Sequence, residues 1–203
     1  TSIGVLSLAI NSNGGIFAGT EDGVFRNIIT ANLKVYLQGP YAGSGTMTTT
    51  LNTNSLIPLN SNTAYPTLTY GYIASTVTSI PSSDIVDWVL VELRTGTVVG
   101  TKVATRAAFL KSDGTIVDTN GLAPVKFIGL GDGNYYVVVR HRNHLSIMSA
   151  STIPLSSDSV LYDFSTAQSQ AYGINPMKDL SGGVAPYGMW MGDVNSDGVV
   201  KYN

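Results

Sequence analysis

The stretch Ile85-Val86-Asp87-Trp88-Val89-Leu90-Val91-Glu92-Leu93-Arg94 decides the fold class of this chain. It is apolar on both faces around Trp88, which is typical of a central strand that is covered on both sides. Two further runs, Leu33 to Gln38 and Tyr135 to Arg142, alternate apolar and polar residues with a period of two. This alternation also predicts β-strands, each with one face toward a core.

Turn sequences follow the predicted strands at short intervals, and helical periodicity is weak. Residues 165–180 are the place where we expect a short helical turn. The combination predicts an all-β fold, specifically an antiparallel Greek-key or immunoglobulin-like sandwich with an N-terminal three-strand appendage. The turn sequences are Thr95-Gly96, Ser112-Asp113-Gly114, Asn120-Gly121 and Gly131-Asp132-Gly133-Asn134.

The composition indicates an extracellular protein and excludes several functions. Charged residues are 12% of the 203 residues, about half of the roughly 25% usual in soluble proteins. The net charge is −2 and the basic residues are scattered, so we expect no binding to a nucleic-acid backbone. The chain contains no cysteine, which excludes disulfides, thiolate metal sites and cysteine nucleophiles.

The chain divides into three predicted regions. Residues 1–30 form an N-terminal strand unit, residues 31–164 form the sandwich core, and residues 165–203 form a glycine-rich tail. Within the core, residues 43–80 are rich in Thr, Ser and Asn and predict a long irregular excursion. No apolar run reaches the length of about 18 residues that a membrane-spanning helix needs. The opening Thr1-Ser2-Ile3-Gly4 lacks a signal peptide and indicates a processed start or the edge of a fragment.

The N-terminal unit contains three short apolar runs separated by Asn-Ser-Asn-Gly-Gly and Glu-Asp-Gly turns. Residues 3–27 resemble one repeat of the β-propellers found in bacterial secreted and sensor proteins. A single blade cannot bury both its faces, since several must close a ring. Two interpretations follow: the strands dock on their own sandwich, or they pair with a neighbouring subunit. The predicted interface residues are Val5, Leu6, Leu8, Ile10, Ile16, Phe17, Val24 and Phe25.

The C-terminal segment Asp193-Val194-Asn195-Ser196-Asp197-Gly198 matches the opening of a calcium loop. Oxygens at alternating positions converge on one hard cation, and glycine at the sixth position permits the sharp turn. The pattern predicts calcium held by Asp193, Asn195 and Asp197, with the carbonyl of Val199. Lys201 is a poor ligand for the next slot, so a solvated turn is the alternative.

Four stretches carry a further resemblance: Tyr36 to Tyr41, Ile85 to Arg94, Tyr135 to Leu145 and Met189 to Gly198. Together they resemble an uncharacterised C-terminal β-sandwich module of secreted Bacteroidetes-type surface proteins, often called hemagglutinin-like. The resemblance spans roughly residues 33–203. It implies an extracellular or cell-surface location, a sandwich fold and a dockerin-like calcium loop.

The candidate catalytic groups do not form a convincing active site. His141 and His144 could act as a general base or metal ligands, but their opposite parity along a strand places them on different faces. Asp87 and Glu92 are separated in the same way, so they cannot flank one glycosidic bond. We expect Asp87 to pair with an arginine or with backbone amides. The sequence therefore predicts a non-enzyme.

Two functions remain open. The first is an extracellular structural module, a subunit of a surface assembly or filament that is joined to its own kind or to other extracellular modules by strand pairing. The alternative is a calcium-assisted carbohydrate-binding or adhesion module, because aromatic side chains can stack on sugars. Tyr65, Tyr70 and Tyr72 are the candidate ligand-binding residues.

Overall fold

A computed structural model describes residues 4–10, 16–21, 23–122, 124–193, 195 and 199–200. The fold is all-β, with 45% strand and 11% helix, which confirms the predicted fold class. Within these residues no helix is long and apolar enough to cross a membrane.

The largest sheet is antiparallel and has the strand order β11-β10-β9-β13-β14, with β15 also pairing with β13. All ten residues of β9, the central strand, are buried, as its apolar pattern predicted. The strands are β9 (Ile85–Arg94), β10 (Lys102–Lys111), β11 (Ile116–Val117), β13 (Gly133–His141), β14 (His144–Met148) and β15 (Ile153–Leu155). A single 3-10 turn (Val99–Thr101) precedes β10.

Shorter strands form small sheets that share the main core with the largest one. Two of their pairings, β16 with β5 and β18 with β6, are parallel, unlike the purely antiparallel prediction. Parallel pairing is open to these strands because long connections separate them. The strands are β4 (Ile28–Ala31), β5 (Leu33–Lys34), β6 (Tyr36–Leu37), β7 (Tyr41–Gly43), β8 (Thr46–Met47), β12 (Val125–Ile128), β16 (Tyr162–Asp163), β17 (Lys178–Asp179) and β18 (Tyr187–Met189).

The segment predicted as a glycine-rich tail belongs in part to the core. Met177 and Met189 have no exposed surface, and β18 pairs with both β17 and β6. The predicted helical turn is present as two 3-10 turns, Phe164–Thr166 and Gln168–Gln170.

The predicted excursion covers the second face of the largest sheet. It contains three single-turn helices, α1 (Thr50–Thr53), α2 (Ser61–Ala64) and α3 (Thr67–Tyr70). Its buried residues Ile57 and Tyr65 pack with Trp88 and Phe109 in a second core. Trp88 and Phe109, partners across β9 and β10, stack with ring centroids 3.8 Å apart. The sheet is therefore buried on both faces.

The N-terminal sheet consists of β1 (Val5–Ile10), β2 (Ile16–Thr20) and β3 (Gly23–Arg26), in the order β1-β2-β3. All six residues of β1 are exposed. Leu6, Leu8 and Ile10 have exposed fractions of 68%, 63% and 66%. In the structure β1 therefore does not dock on its own sandwich, which was one of the two interpretations of this unit.

Candidate functional site

The two histidines lie together at one end of the largest sheet. β13 ends at His141 and β14 begins at His144, and these residues are direct partners across a two-residue turn, Arg142-Asn143. Directly opposite residues of an antiparallel pair lie on the same face. The predicted placement of the histidines on different faces is therefore wrong, because it treated residues 135–145 as one continuous strand. Asn143, a residue type common in turns, was the signal for the reversal.

A chain of hydrogen bonds fixes the protonation of both rings. The Gly39 N–H donates to His144 Nε2 at 3.3 Å, so the proton of His144 is on Nδ1. That Nδ1–H donates to His141 Nδ1 at 2.8 Å, which also accepts from the Asn143 N–H. His141 Nε2–H then donates to Asp87 Oδ2 at 3.2 Å. Because a neutral imidazole has one donor and one acceptor nitrogen, this arrangement assigns both rings as neutral.

Asp87 is fully buried at the end of this chain and its charge is compensated. Arg142 donates to its Oδ2 from Nε at 2.9 Å and from Nη2 at 2.8 Å, and the Trp88 N–H donates to Oδ1 at 2.8 Å. Burial alone raises the pKa of Asp87, but the His141 hydrogen bond and the nearby positive charge outweigh it, so the pKa is lowered. The expected pairing of Asp87 with an arginine and a backbone amide is confirmed.

His144 is a neutral hydrogen-bonding group at ordinary pH. Burial and, to a lesser extent, the neighbouring His141 lower the pKa of His144 to about 3, although the Asp87 carboxylate opposes both effects. The site thus presents an oriented imidazole without a charge. Among the described residues, no group of three or more His, Asp or Glu side chains is placed to hold a metal ion.

An apolar cavity of about 480 Å³ lies over the histidine pair. His144 and Asn143 line it together with the segment after β6, the start of α1, the start of β9 and the segment after β18. Asn143 is exposed, whereas His144 is buried, so the polar groups lie at different depths. The apolar lining includes Leu37, Pro40, Leu51, Val86 and Met191.

Glu92 belongs to a different cluster. It accepts hydrogen bonds from Arg94 Nε and, at 3.3 Å, from Arg140 Nε. Asp87 and Glu92 thus have separate partners, in agreement with the prediction that they cannot act on one bond.

The predicted tyrosine cluster is part of the second core. Tyr65 has no exposed surface, so its ring cannot stack on a sugar, and the prediction is corrected for this residue. Tyr70 and Tyr72 are half-buried and pack against the same core, and the Tyr72 hydroxyl donates to the carbonyl of Tyr65 at 3.0 Å.

The calcium prediction falls partly outside the described residues. Asp193 is buried, Asn195 and Val199 are exposed, and Asp197 lies outside the described part of the chain. Calcium at this segment stays a prediction, as does the alternative of a calcium-assisted carbohydrate-binding or adhesion module.

The predicted interface residues lie on the N-terminal sheet. Leu8 and Ile10 of β1 pair with Ala18 and Ile16 of β2, which places these four side chains on one face. Phe17 is half-buried, and the side chain of Phe25 lies outside the described part of the chain. Val5, Leu6, Leu8, Ile10, Ile16 and Val24 are exposed, by 37% to 68%.

No protein-family model, curated protein or solved structure matches this chain. The resemblance to a secreted hemagglutinin-like module and to a propeller repeat therefore stays a prediction.

Proposed function

We propose that this protein is a non-enzymatic extracellular structural module that joins to further copies of itself through the N-terminal sheet. The observation that carries the proposal is the exposure of all six residues of β1, a strand whose sequence is Val-Leu-Ser-Leu-Ala-Ile. The low charge of the chain and its many short strands support an extracellular assembly role.

Covering the apolar face of the N-terminal sheet is energetically favourable. Fully burying one aliphatic side chain contributes about 1.5–3 kcal/mol, and Leu8, Ile10 and Ile16 share one apolar face of the N-terminal sheet. A partner that covers this face gains several such contributions. This gain supports association rather than a permanently solvated sheet.

The edge of the N-terminal sheet is open to pairing. β1 lies at one edge of the N-terminal sheet, and natural edge strands are usually protected by charges, proline or a covering segment. β1 contains no charged residue and no proline. Its backbone is thus suited to pair with another strand. A second copy of the chain is the occupant we propose, because it brings the same uncharged, apolar strand and can therefore match both the edge and the face.

A substitution on the apolar face tests this proposal. We expect Leu8→Asp to abolish concentration-dependent oligomers or filaments, because it places a charge where the neighbour packs. The measurement is light scattering after size-exclusion chromatography, together with electron microscopy of the same samples.

Ser7→Asp is the matched control. It adds the same charge to the same strand, and Ser7 lies on the opposite face from Leu8. We expect it to assemble more strongly than Leu8→Asp. A wild-type chain that stays a monodisperse monomer at high concentration, or equal assembly of Leu8→Asp and wild type, overturns the proposal.

A further inference from the structure

We propose that the cavity over the histidine pair binds a small, uncharged, mainly apolar ligand that carries one hydrogen-bond donor. This site is separate from the N-terminal sheet, so the inference does not depend on the assembly proposal. Its volume of about 480 Å³ lies within the range of roughly 300–1,000 Å³ that is typical of small-molecule sites.

The lining selects an uncharged ligand. Leu37, Pro40, Leu51, Val86 and Met191 supply apolar surface, and no lysine or arginine is among the described residues that line the cavity. A charged ligand would lose its hydration without gaining a compensating charge. The carboxylate of Asp87 also lines the cavity, but it has no exposed surface and is already paired with Arg142.

The histidine pair supplies an oriented acceptor. His144 Nε2 is held as an acceptor by the tautomer that the hydrogen-bond chain assigns, and its present donor, the Gly39 N–H, is 3.3 Å away. That distance is longer than the 2.9–3.0 Å at which such bonds are most common. A ligand O–H or N–H group can therefore donate to the same nitrogen at a shorter distance than the Gly39 N–H does. The exposed Asn143 side chain lies on the same cavity and can hydrogen-bond a second polar atom of the ligand.

A substitution at Gly39 can fill the part of the cavity beside His144 Nε2. A Cβ at Gly39 would lie 3.6 Å from His144 Nε2 and 4.0 Å from Met191 Sδ, both ordinary contacts. The backbone of Gly39 is outside the left-handed region, so a side chain is tolerated there. Gly39→Leu should thus occupy the space beside His144 without disturbing the fold.

The experiment uses N-phenyl-1-naphthylamine, an uncharged aromatic amine with one N–H donor whose fluorescence rises in apolar surroundings. We expect saturable binding with one site per full-length chain. Gly39→Leu should weaken it by at least about tenfold, the equivalent of 1.4 kcal/mol. Met191→Arg is a second blocking variant: Met191 is 50% exposed, so the change leaves the core intact.

Two controls separate this site from other apolar surfaces. Gly100→Leu introduces the same side chain at a position where a Cβ would have no atom within 4 Å, and it should bind the probe like wild type. Leu8→Asp should also bind like wild type, because the N-terminal sheet is not the site. The inference is overturned if wild type shows no saturable binding, or if both blocking variants bind the probe as tightly as wild type. Loss of binding in Leu8→Asp also overturns it.

Discussion

Strand parity did not predict that the two histidines meet, because a turn lies between them. Residues three apart have opposite parity along one strand, yet His141 and His144 flank a two-residue turn and become direct partners. Their rings approach with centroids 4.6 Å apart. The chemistry of the residues was visible in the sequence, and so was the pairing of Asp87. The position of the turn decided whether these groups meet.

The depressed pKa of His144 predicts a pH-dependent stability. Between its unfolded pKa of 6.5 and its folded pKa of about 3, the unfolded chain binds the extra proton. The contribution of His144 to the free energy of unfolding is therefore fully present above pH 6.5. It falls as the pH falls toward 3, by up to about 1.4 kcal/mol per pH unit. The charged and titratable groups that act on His144 are His141 and Asp87, and the lowered pKa of Asp87 acts in the same direction below its unfolded value.

Urea unfolding of His144→Gln and wild type at pH 7.5, 5.5 and 4.5 measures this contribution. Glutamine keeps a donor and an acceptor but does not titrate. We expect the variant to lose less stability than wild type between pH 7.5 and 4.5, even if it starts lower. Parallel curves would show that protonation of His144 does not limit stability.

At the scale of elements, Tyr65 anchors the excursion to the largest sheet. Its hydroxyl donates to the carbonyl of Trp88 at 2.9 Å and accepts from the Arg142 N–H at 3.1 Å. Burial raises the pKa of Tyr65 well above its ordinary value, so the hydroxyl keeps its proton. One phenol thus joins the excursion, the central strand β9 and the turn between β13 and β14.

We expect Tyr65→Phe to lower the free energy of unfolding by about 1–3 kcal/mol, because the buried Trp88 carbonyl and the partly buried Arg142 N–H lose a partner. Thermal and urea unfolding check this value. Tyr172→Phe, at a position 54% exposed, is the control and should change stability little. If both variants behave alike, the Tyr65 hydroxyl does not hold the excursion in place.

The strands with strong periodicity could be predicted from the sequence, and the excursion could not. β9 and β13 follow their apolar patterns because burial of those side chains dominates their conformation. The helices α1, α2 and α3 are single turns of Thr, Ser, Asn and a few apolar residues. They are too short to show a helical period in the sequence. Their positions depend on packing over Trp88 and Phe109, which local sequence does not encode. The predicted role of Tyr65 failed for the same reason.

Over the whole molecule, the sandwich and the N-terminal sheet differ in how the backbone groups at their strand edges are covered. Beside β12, Asp118 accepts from the Lys126 N–H at 3.1 Å, and Arg106 donates to the Lys126 carbonyl at 2.8 Å. The same two side chains form an ion pair at 2.7 Å. Side chains thus occupy backbone groups that another strand could otherwise use. β1 has an uncharged sequence at its edge instead, which fits a division between a closed sandwich and an open assembly element.

This division predicts that the sandwich folds without the N-terminal sheet. The extensive contacts of β1, β2 and β3 are with one another, whereas the main core begins at Ile29. We expect a chain starting at Asn27 to be monomeric, with a melting temperature shifted by less than the roughly 2–4 °C that 1 kcal/mol produces in a domain of this size. Comparison with the Leu8→Asp variant of the full chain removes the contribution of assembly to the melting temperature. A truncated chain that unfolds or melts far lower would mean that the N-terminal sheet stabilises the sandwich itself, and exposure of β1 would then be no argument for a partner.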